Sequence, residues 1–433
     1  MKRKEWKRIT ALAMAALTIA GGLGATVTCY AEESDLVIEE GAKLRVLLPI
    51  YDETRKELAR ILEEKFETEF PEIEIEVEEF IEPDKLRTYN ATSDLPDVFF
   101  STSMSDTLSI IEADHALDLT EYVAQDHFLD NYKVSSVVEP WTDGKLYTLP
   151  SGADSYYTPR IFVNKDVFEA CGVEYPTTFD ELLEACKVFK ENGITPICSS
   201  MIKDGQVVGA MLWQNFAAAE DPQTVLDFYN GEIGFTDERV VSAFEKIEQL
   251  ADAGAFMDGC VEMDYGANIE LFKSKGAAMY FMFTWALPEL AADENVDFIS
   301  WPKMNDEINP SDYQQAWGGP LTGYVVSADT KYPNAAVKVM EFCVEEEAKF
   351  LNEAQNTNTA FDTGIAVEAD SELMAKHLAD YDAAETKLPS LSFIYATVLS
   401  DEIGIQGGQL LTGNATAQEV CETLEKVRLE AAE

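Results

Sequence analysis

The segment from Lys43 to Ile111 alternates between short apolar runs and amphipathic runs, and this alternation limits the folds open to the chain. Lys43–Leu48 is typical of a buried strand, Glu72–Glu78 alternates in polarity as a half-exposed strand does, and Asp94–Phe100 leads into a third strand. Between the first two strands, a helical stripe with a period of about 3.6 residues is formed by Leu58, Ile61, Leu62 and Phe66. This order predicts an α/β fold with an open sheet.

Polar and aromatic residues follow two of these strands. Tyr51 and Asp52 come after the first strand, and Ser101 ends the third. Ligands of open α/β sheets bind beyond the carboxyl ends of the strands. The three residues are therefore candidate ligand contacts.

A second stretch, Asp143–Leu182, is typical of a crossing between two compact units. An apolar strand ends at Leu149-Pro150, a loop rich in Gly, Asp, Ser and Tyr follows, and a second strand covers Ile161–Val163. Two short strands joined by a polar aromatic loop predict a hinge with a ligand site beside it. The glycine-rich and then strand-like segment Gly318–Val326 predicts a partner crossing. Two lobes interleaved in sequence therefore fit the chain better than domains in a row.

The same alternation of strands and helices continues towards the C-terminus. Asp237–Ala253 is the clearest amphipathic helix, and Pro333–Glu347 is another. Strands are predicted at Ala277–Phe281 and Val296–Ile299. The chain has 433 residues, which is enough for two or three cores.

The N-terminus has the pattern of a secretory signal peptide. Basic residues precede the apolar run Ile9–Ala20, and Cys29-Tyr30-Ala31 places small residues three and one before a cleavage site. The run is too short to span a membrane stably, so we expect residues 1–31 to be removed and 32–41 to form a solvated acidic tail. Lipid attachment at Cys29 is the less favoured alternative. No other stretch approaches about 18 uninterrupted apolar residues, which predicts an extracellular protein, secreted or associated with the cell surface.

The charge of the chain excludes several classes of partner. Residues 1–31 carry five Lys or Arg and one Glu, which leaves 27 basic and 79 acidic residues and a net charge of −52. Such a surface repels nucleic acid, which requires a basic footprint, and disfavours anionic lipid surfaces. Solubility outside the cell is the simplest role for this acidity.

Cysteines and histidines give no sign of a metal site, and no cofactor is predicted. Six cysteines lie beyond the signal peptide, widely spread, so buried free thiols are expected, although one disulfide is compatible with the sequence. The three histidines lack zinc-site spacing. The sequence also contains no GxSxG, P-loop or GxGxxG motif. A glycosidase needs only two carboxylates about 5–10 Å apart, so a secreted carbohydrate-active enzyme is the alternative to a binding protein.

Several motifs occur together in a characteristic order. After the first strand come Leu95-Pro96-Asp97-Val98, Asp143–Pro150, Asn164–Phe168, Pro176–Leu182, and Gly276–Met279 followed by Trp285. This ordered set resembles the family 1 extracellular solute-binding proteins of ABC importers, the group that includes maltodextrin-binding protein. The similarity covers nearly the whole chain after the signal peptide.

The resemblance implies a two-lobed periplasmic-binding-protein-like fold of type II, closing on a ligand between its lobes. The first lobe would comprise residues 42–153 with 324–366, and the second 157–318 with 367–433. Hinges would lie near 150–160 and 318–326. The partners implied are a small-molecule ligand and the permease of an ABC importer, with the binding protein itself a monomer. A ligand-loaded sensor that docks on a receptor is a further alternative.

The resemblance also suggests site residues. Asp154 lies where relatives often carry an acidic residue that contacts sugar, and Trp285 lies where relatives place a stacking aromatic. Tyr51, Asp52 and Glu53 belong to a loop that commonly meets the ligand.

Sugar chemistry supports these assignments, because a sugar presents apolar C–H faces and a ring of hydroxyls. Aromatic faces and polar side chains are therefore both required. The candidates added on this basis are Tyr156, Trp213, Gln214, Trp317 and Tyr395. Gly319, in the predicted crossing Gly318–Val326, is a further candidate. Only seven Arg lie beyond the signal peptide, which favours a neutral saccharide over an anionic ligand. A cationic ligand such as a polyamine is the alternative.

Overall fold

The computed structural model describes residues 36–50, 53–81, 84–102, 104–125, 127–133, 138, 140–141, 143–199, 205–316, 321–369, 371–395 and 397–431. The strands within these ranges are β1 Lys43–Pro49, β2 Glu74–Phe80, β3 Val98–Ser101, β4 Pro159–Asn164, β5 Thr195–Cys198, β6 Ala277–Phe283, β7 Val296–Ile299, β8 Tyr313–Ala316, β9 Gly323–Val326 and β10 Thr386–Pro389. The helices are α1 Glu53–Glu69, α2 Asp84–Thr92, α3 Met104–Glu112, α4 Thr120–Gln125, α5 Lys165–Cys171, α6 Phe179–Glu191, α7 Gly205–Glu220, α8 Pro222–Tyr229, α9 Glu238–Asp252, α10 Tyr265–Lys273, α11 Leu287–Leu290, α12 Pro333–Ala354, α13 Glu372–Ala383, α14 Thr397–Leu411 and α15 Ala417–Ala431.

The first sheet has the strand order β2-β1-β3-β9. The strands β2, β1 and β3 are parallel, as expected for strands joined by helices, and β9 is antiparallel to β3 with Val326 opposite Val98. Val46 packs with α1 and α12 on one face, whereas Leu47 packs with α2 and α3 on the other, since successive side chains of a strand point to opposite faces. We call this sheet with its helices the first lobe.

The second sheet has the order β5-β6-β4-β7, with β4 antiparallel to both of its neighbours. Every residue of β4 and β6 is buried, because helices cover both faces. Residues of α14 and α15 join the same core. The pair β8–β10 forms a small parallel sheet beside it. We call this assembly the second lobe.

The chain enters the second sheet before the first is complete. Strand β9 follows β4–β7 in sequence but pairs with β3 in the first lobe. The chain then returns from α12 to the second lobe, where Leu373 of α13 packs. This interleaving agrees with the two-lobed α/β fold expected from the sequence.

Three chain segments lie side by side between the lobes. Leu149 and Tyr324 exchange two backbone hydrogen bonds of 3.0 Å. Gly323 has φ 115°, and a Cβ there would lie 2.7 Å from the Cα of Pro150, so only glycine permits this approach. Phe361 N donates to Ser151 O at 3.1 Å. The predicted strand ending at Leu149 is therefore corrected to a single bridge, because its partner is one residue of another crossing rather than a strand.

The acidic tail differs from the expectation of a solvated segment. Its residues up to 35 lie outside the described part of the chain, but Leu36 is buried in the first lobe. Both carboxylate oxygens of Glu39 accept hydrogen bonds from the backbone N–H groups of Asn334 and Ala335, at 2.9 and 3.0 Å. These N–H groups belong to the start of α12, where a helix has unsatisfied donors and favours negative charge. Residues 36–41 are therefore docked on the first lobe.

Helix α12 extends beyond the predicted end at Glu347, and it carries a buried carboxylate there. Glu347 Oε2 lies 2.9 Å from Nη1 of Arg55, and the hydroxyl of Ser151 donates to Glu347 Oε1 at 2.8 Å. The Arg55 guanidinium also lies over the ring of Phe100, 4.4 Å from its centroid. Helix α1, the first crossing and α12 are thereby joined through one buried ion pair. In the described ranges, no helix has both the length and the apolar character needed to cross a membrane.

The Glu347 ion pair predicts a specific loss of stability. Replacement by Gln leaves the Arg55 charge without its counter-charge, which in a buried pair costs about 3 kcal/mol. We therefore expect Glu347→Gln to lower the urea midpoint strongly. The matched control is Glu353→Gln, an exposed position on the same helix, for which we expect almost no change. Equal midpoints for the two variants would contradict a structural role for the pair.

Candidate functional site

A recess lies where segments of both lobes meet, and the space inside it, counted together with the open solvent at its mouth, is about 380 Å³. We call it the aromatic recess. Its aromatic side chains are Tyr156, Tyr157 and Trp285, and its other walls are the turn Asn356–Asn358 after α12 and residues of α13 that include His377. The recess therefore combines ring faces with amide and hydroxyl groups.

Trp285 is positioned by the end of β6. The strand stops at Phe283, and the following 3-10 turn Thr284–Ala286 presents the indole. The indole stacks on Phe283, with ring centroids 4.6 Å apart and planes inclined by 17°, and meets Tyr157 edge-on at 6.0 Å. Neighbouring rings on two sides hold Trp285 in one orientation, with part of its surface left exposed.

The opposite wall comes from the first lobe. Asn352, in the last turns of α12, donates from its side chain to Thr357 O at 2.8 Å, and Thr357 N donates to Leu351 O at 2.9 Å. These bonds hold the turn Asn356–Asn358, in which Asn356 has the left-handed φ of 47° that asparagine tolerates. The amide side chains of Asn356 and Asn358 therefore line the recess from a fixed backbone.

Burial sets the protonation states of His377 and Tyr156, which also line the recess. His377 is 4% exposed, and burial, with a smaller contribution from the Arg160 charge, lowers its pKa to about 3. The imidazole is therefore neutral near pH 7. Tyr156 packs against Tyr381 with ring centroids 5.2 Å apart, and burial raises the pKa of Tyr156. Both groups are uncharged in the recess, which suits a neutral ligand.

Among the residues predicted from the sequence, the structure brings Trp285 and Tyr156 together. Asp154 belongs to the 3-10 turn Ala153–Tyr156 that leads to the recess, but its side chain lies outside the described part of the structure. Glu53 begins α1 and is exposed, with one oxygen 3.8 Å from Lys56 Nζ. The candidates that fall outside the described residues are Tyr51, Asp52, Trp317 and Gly319.

Four other predicted contacts lie buried inside the lobes and outside the aromatic recess. Trp213 is fully buried and stacks on Phe244 at 5.8 Å in the core of the second lobe. Tyr395 is 3% exposed and packs in the same core. Gln214 is fully buried, donating to Pro389 O at 2.6 Å and accepting from Leu391 N at 3.0 Å. Ser101 is fully buried and accepts a hydrogen bond from Thr107.

The sequence analysis missed the turn Asn356–Asn358 and His377. The turn had a visible signal, because an Asn-Thr-Asn run follows a long amphipathic helix and contains residues that favour loops. His377 had no such signal, since it lies on an ordinary amphipathic helix and is separated from Trp285 by more than ninety residues. In the part of the chain that is described, no group of acidic, His or Cys side chains could hold a metal ion.

Comparison with solved structures identifies the same architecture elsewhere. One relative comes from work on xylan utilization by the thermophilic bacterium Caldanaerobius polysaccharolyticus, with a TM-score of 0.75, 21% identity, and coverage of 89% of this chain and 99% of the other. A chitin oligosaccharide binding protein gives a TM-score of 0.77 at 21% identity, covering 91% of this chain and 99% of the other. A sugar transporter from Bacillus licheniformis in complex with stachyose gives 0.65 at 19% identity, covering 90% and 100%.

The sequence also matches a family profile over most of its length. The match is to the family described as bacterial extracellular solute-binding protein, and it extends over residues 51–350. This range includes β3, the crossing that begins at Leu149, strand β9 and Trp285. The chain therefore belongs to the family of bacterial extracellular solute-binding proteins.

Proposed function

We propose that the protein captures a neutral carbohydrate, a mono- or oligosaccharide, outside the cell and delivers it to the permease of an ABC importer. The observation that carries this proposal is the aromatic recess between the lobes. Trp285 and Tyr157 offer faces for the C–H surface of a sugar ring, and Asn356 and Asn358 offer amides for its hydroxyls. The structural relatives described above include a chitin oligosaccharide binding protein and a transporter in complex with stachyose.

The proposed mechanism is closure of the two lobes on the ligand. We propose that the lobes comprise residues 42–153 with 324–366 and residues 157–318 with 367–433, joined near 150–160 and 318–326. The pairing of Leu149 with Tyr324 supports this division, because two crossings in register can bend together. Helix α3 of the first lobe also approaches the turn Leu391–Ile394 of the second, so the lobes meet at more than the crossings.

A screen of sugars tests the ligand class. We expect neutral mono- or oligosaccharides to raise the melting temperature of the purified protein, because a ligand that binds only the folded state stabilises it by mass action. Chromatography of the incubated sugar should show no product. Turnover of the sugar would instead support a secreted carbohydrate-active enzyme, and stabilisation only by polyamines would overturn the carbohydrate proposal.

Trp285 is expected to contribute most to affinity. Replacing it by Ala removes an aromatic face from a partly buried site and should weaken binding of the stabilising sugar by about 1–3 kcal/mol, measured by calorimetry. The control is Tyr229→Ala, which removes an exposed aromatic outside the recess. Affinity unchanged in Trp285→Ala, with normal unfolding of the free protein, would restrict this residue to packing against Phe283.

Closure predicts compaction. In small-angle scattering we expect the stabilising sugar to reduce the radius of gyration, and the forward intensity to correspond to a monomer. A sugar that does not raise the melting temperature provides the control. If the protein is saturated with ligand and its radius is unchanged, the closure mechanism is wrong.

Release from the membrane is part of the proposal. We propose cleavage after Ala31 rather than lipid attachment at Cys29, because Cys29-Tyr30-Ala31 has the small residues that signal peptidase favours. The intact mass of the protein recovered from culture medium should correspond to a chain starting at Glu32. A mass that includes Cys29 with acyl groups would favour the lipid anchor.

A further inference from the structure

A second recess lies beside the aromatic recess on the second lobe, and the space inside it, counted together with the open solvent at its mouth, is about 240 Å³. We call it the polar recess. Thr158 and Thr284 lie between the two recesses and are joined by two hydrogen bonds: Thr158 N donates to the side-chain Oγ1 of Thr284 at 3.0 Å, and Thr284 N donates to Thr158 O at 2.9 Å. Thr284 lines the aromatic recess and Thr158 lines the polar one. A ligand group at either place is therefore close to the other.

The polar recess has an unusual lining for so acidic a chain. Its polar side chains in the described part of the protein are hydroxyls and amides, its one charged residue is Arg160, and no acidic side chain contributes. Exposed Ser300 and Ser311 lie at the solvent side, with hydroxyls 2.9 Å apart, whereas Thr158 and Arg160 are buried. The recess thus leads from solvent towards a buried cation.

Arg160 is only partly satisfied within the protein. The residue is 5% exposed, Nη2 donates to Gln314 Oε1 at 3.0 Å, and the guanidinium lies over the ring of Phe298 at 4.9 Å. The buried Nε has no hydrogen-bond partner among the residues that the structure describes. Burial lowers the pKa of Arg160 to about 10, although the charge of Asp380 acts in the opposite direction. A buried charge without a close counter-ion is unfavourable, so a bound anion would stabilise this arrangement.

A second unpartnered donor lies in the same recess. Thr158 is fully buried, and within the described part of the chain its Oγ1 also has no hydrogen-bond partner. Native proteins seldom leave buried polar atoms unpaired, and Thr158, just before β4, and Arg160, within it, both do so beside one recess, which points to a missing partner there. A guanidinium N–H and a hydroxyl can donate to the two oxygens of one carboxylate.

We propose that the polar recess is a subsite for a carboxylate, carried either by an acidic sugar such as a hexuronic acid or by a small free organic acid. One cation balances one negative charge, which fits a carboxylate better than a phosphate dianion. The acidic-sugar form rests on the proposed carbohydrate function and changes its ligand from a neutral to an acidic saccharide. The carboxylate subsite itself does not rest on that function.

The first experiment compares matched ligands on the unmodified protein at constant ionic strength. D-glucuronate is compared with D-glucose, D-galacturonate with D-galactose, and sodium acetate with sodium chloride, by thermal shift and calorimetry. We expect at least one acid to bind about tenfold more tightly than its neutral partner, as a charge-assisted hydrogen bond would give. Stabilisation by acetate alone would identify a free organic acid as the source. Equal binding within each sugar pair, with no effect of acetate, overturns the proposal.

Substitutions at Arg160 and Thr158 test whether the preference for the acid arises in the polar recess. Arg160→Gln should abolish the preference for the acid and leave binding of the neutral partner unchanged, whereas Arg60→Gln, at an exposed arginine of α1, should retain the preference. Thr158→Val removes only an unpartnered hydroxyl, so it is expected to fold normally and to weaken carboxylate binding alone. A preference that survives Thr158→Val and Arg160→Gln overturns the subsite.

The outcomes separate this proposal from the proposed function. If neutral sugars bind and carboxylates add nothing, the polar recess is not a subsite and the carbohydrate function stands. If no sugar binds but acetate stabilises the unmodified protein and not Arg160→Gln, the carbohydrate function fails and the carboxylate subsite stands.

Discussion

The buried carboxylate of Glu347 joins three segments of the first lobe through one ion pair and one hydrogen bond. A carboxylate withdrawn from water must be compensated where it lies, and its partners Arg55 and Ser151 come from α1 and from the first crossing. The same crossing continues into the turn Ala153–Tyr156, which supplies a ring to the aromatic recess. The position of the recess wall therefore depends on an ion pair whose residues do not line the recess.

In the second lobe, the end of β6 and its pairing with β4 position the residues of the recesses. Antiparallel pairing places Pro159, at the start of β4, opposite Phe283, at the end of β6. Trp285 follows one strand and Arg160 belongs to the other, so one pairing register positions both an aromatic face and a buried cation. In the aromatic recess, uncharged side chains surround Trp285. In the polar recess, hydroxyl and amide side chains surround Arg160. The two neighbouring recesses can therefore bind different chemical groups of a ligand.

Periodicity made much of the fold predictable. Strict alternation in β2 and the apolar stripe of α1 were visible in sequence because each element has one buried face. Trp285, which the family resemblance suggested, lines the aromatic recess. The core position of Trp213 was not visible in the sequence, because α7 is apolar on nearly all sides and shows no preferred face. The wall Asn356–Asn358 was missed because its approach to Trp285 depends on how the lobes pack, which local patterns do not encode.

The return of β9 to the first sheet has a consequence for the order in which the chain can fold. Val98 pairs with Val326, so the amino-terminal half of the chain lacks an edge strand until most of the polypeptide has emerged. Pairings so distant in sequence form slowly and leave strand edges open to aggregation meanwhile. The first lobe can therefore be completed only after the strands β4–β8 of the second lobe have been made, so the order of synthesis links the folding of the two lobes.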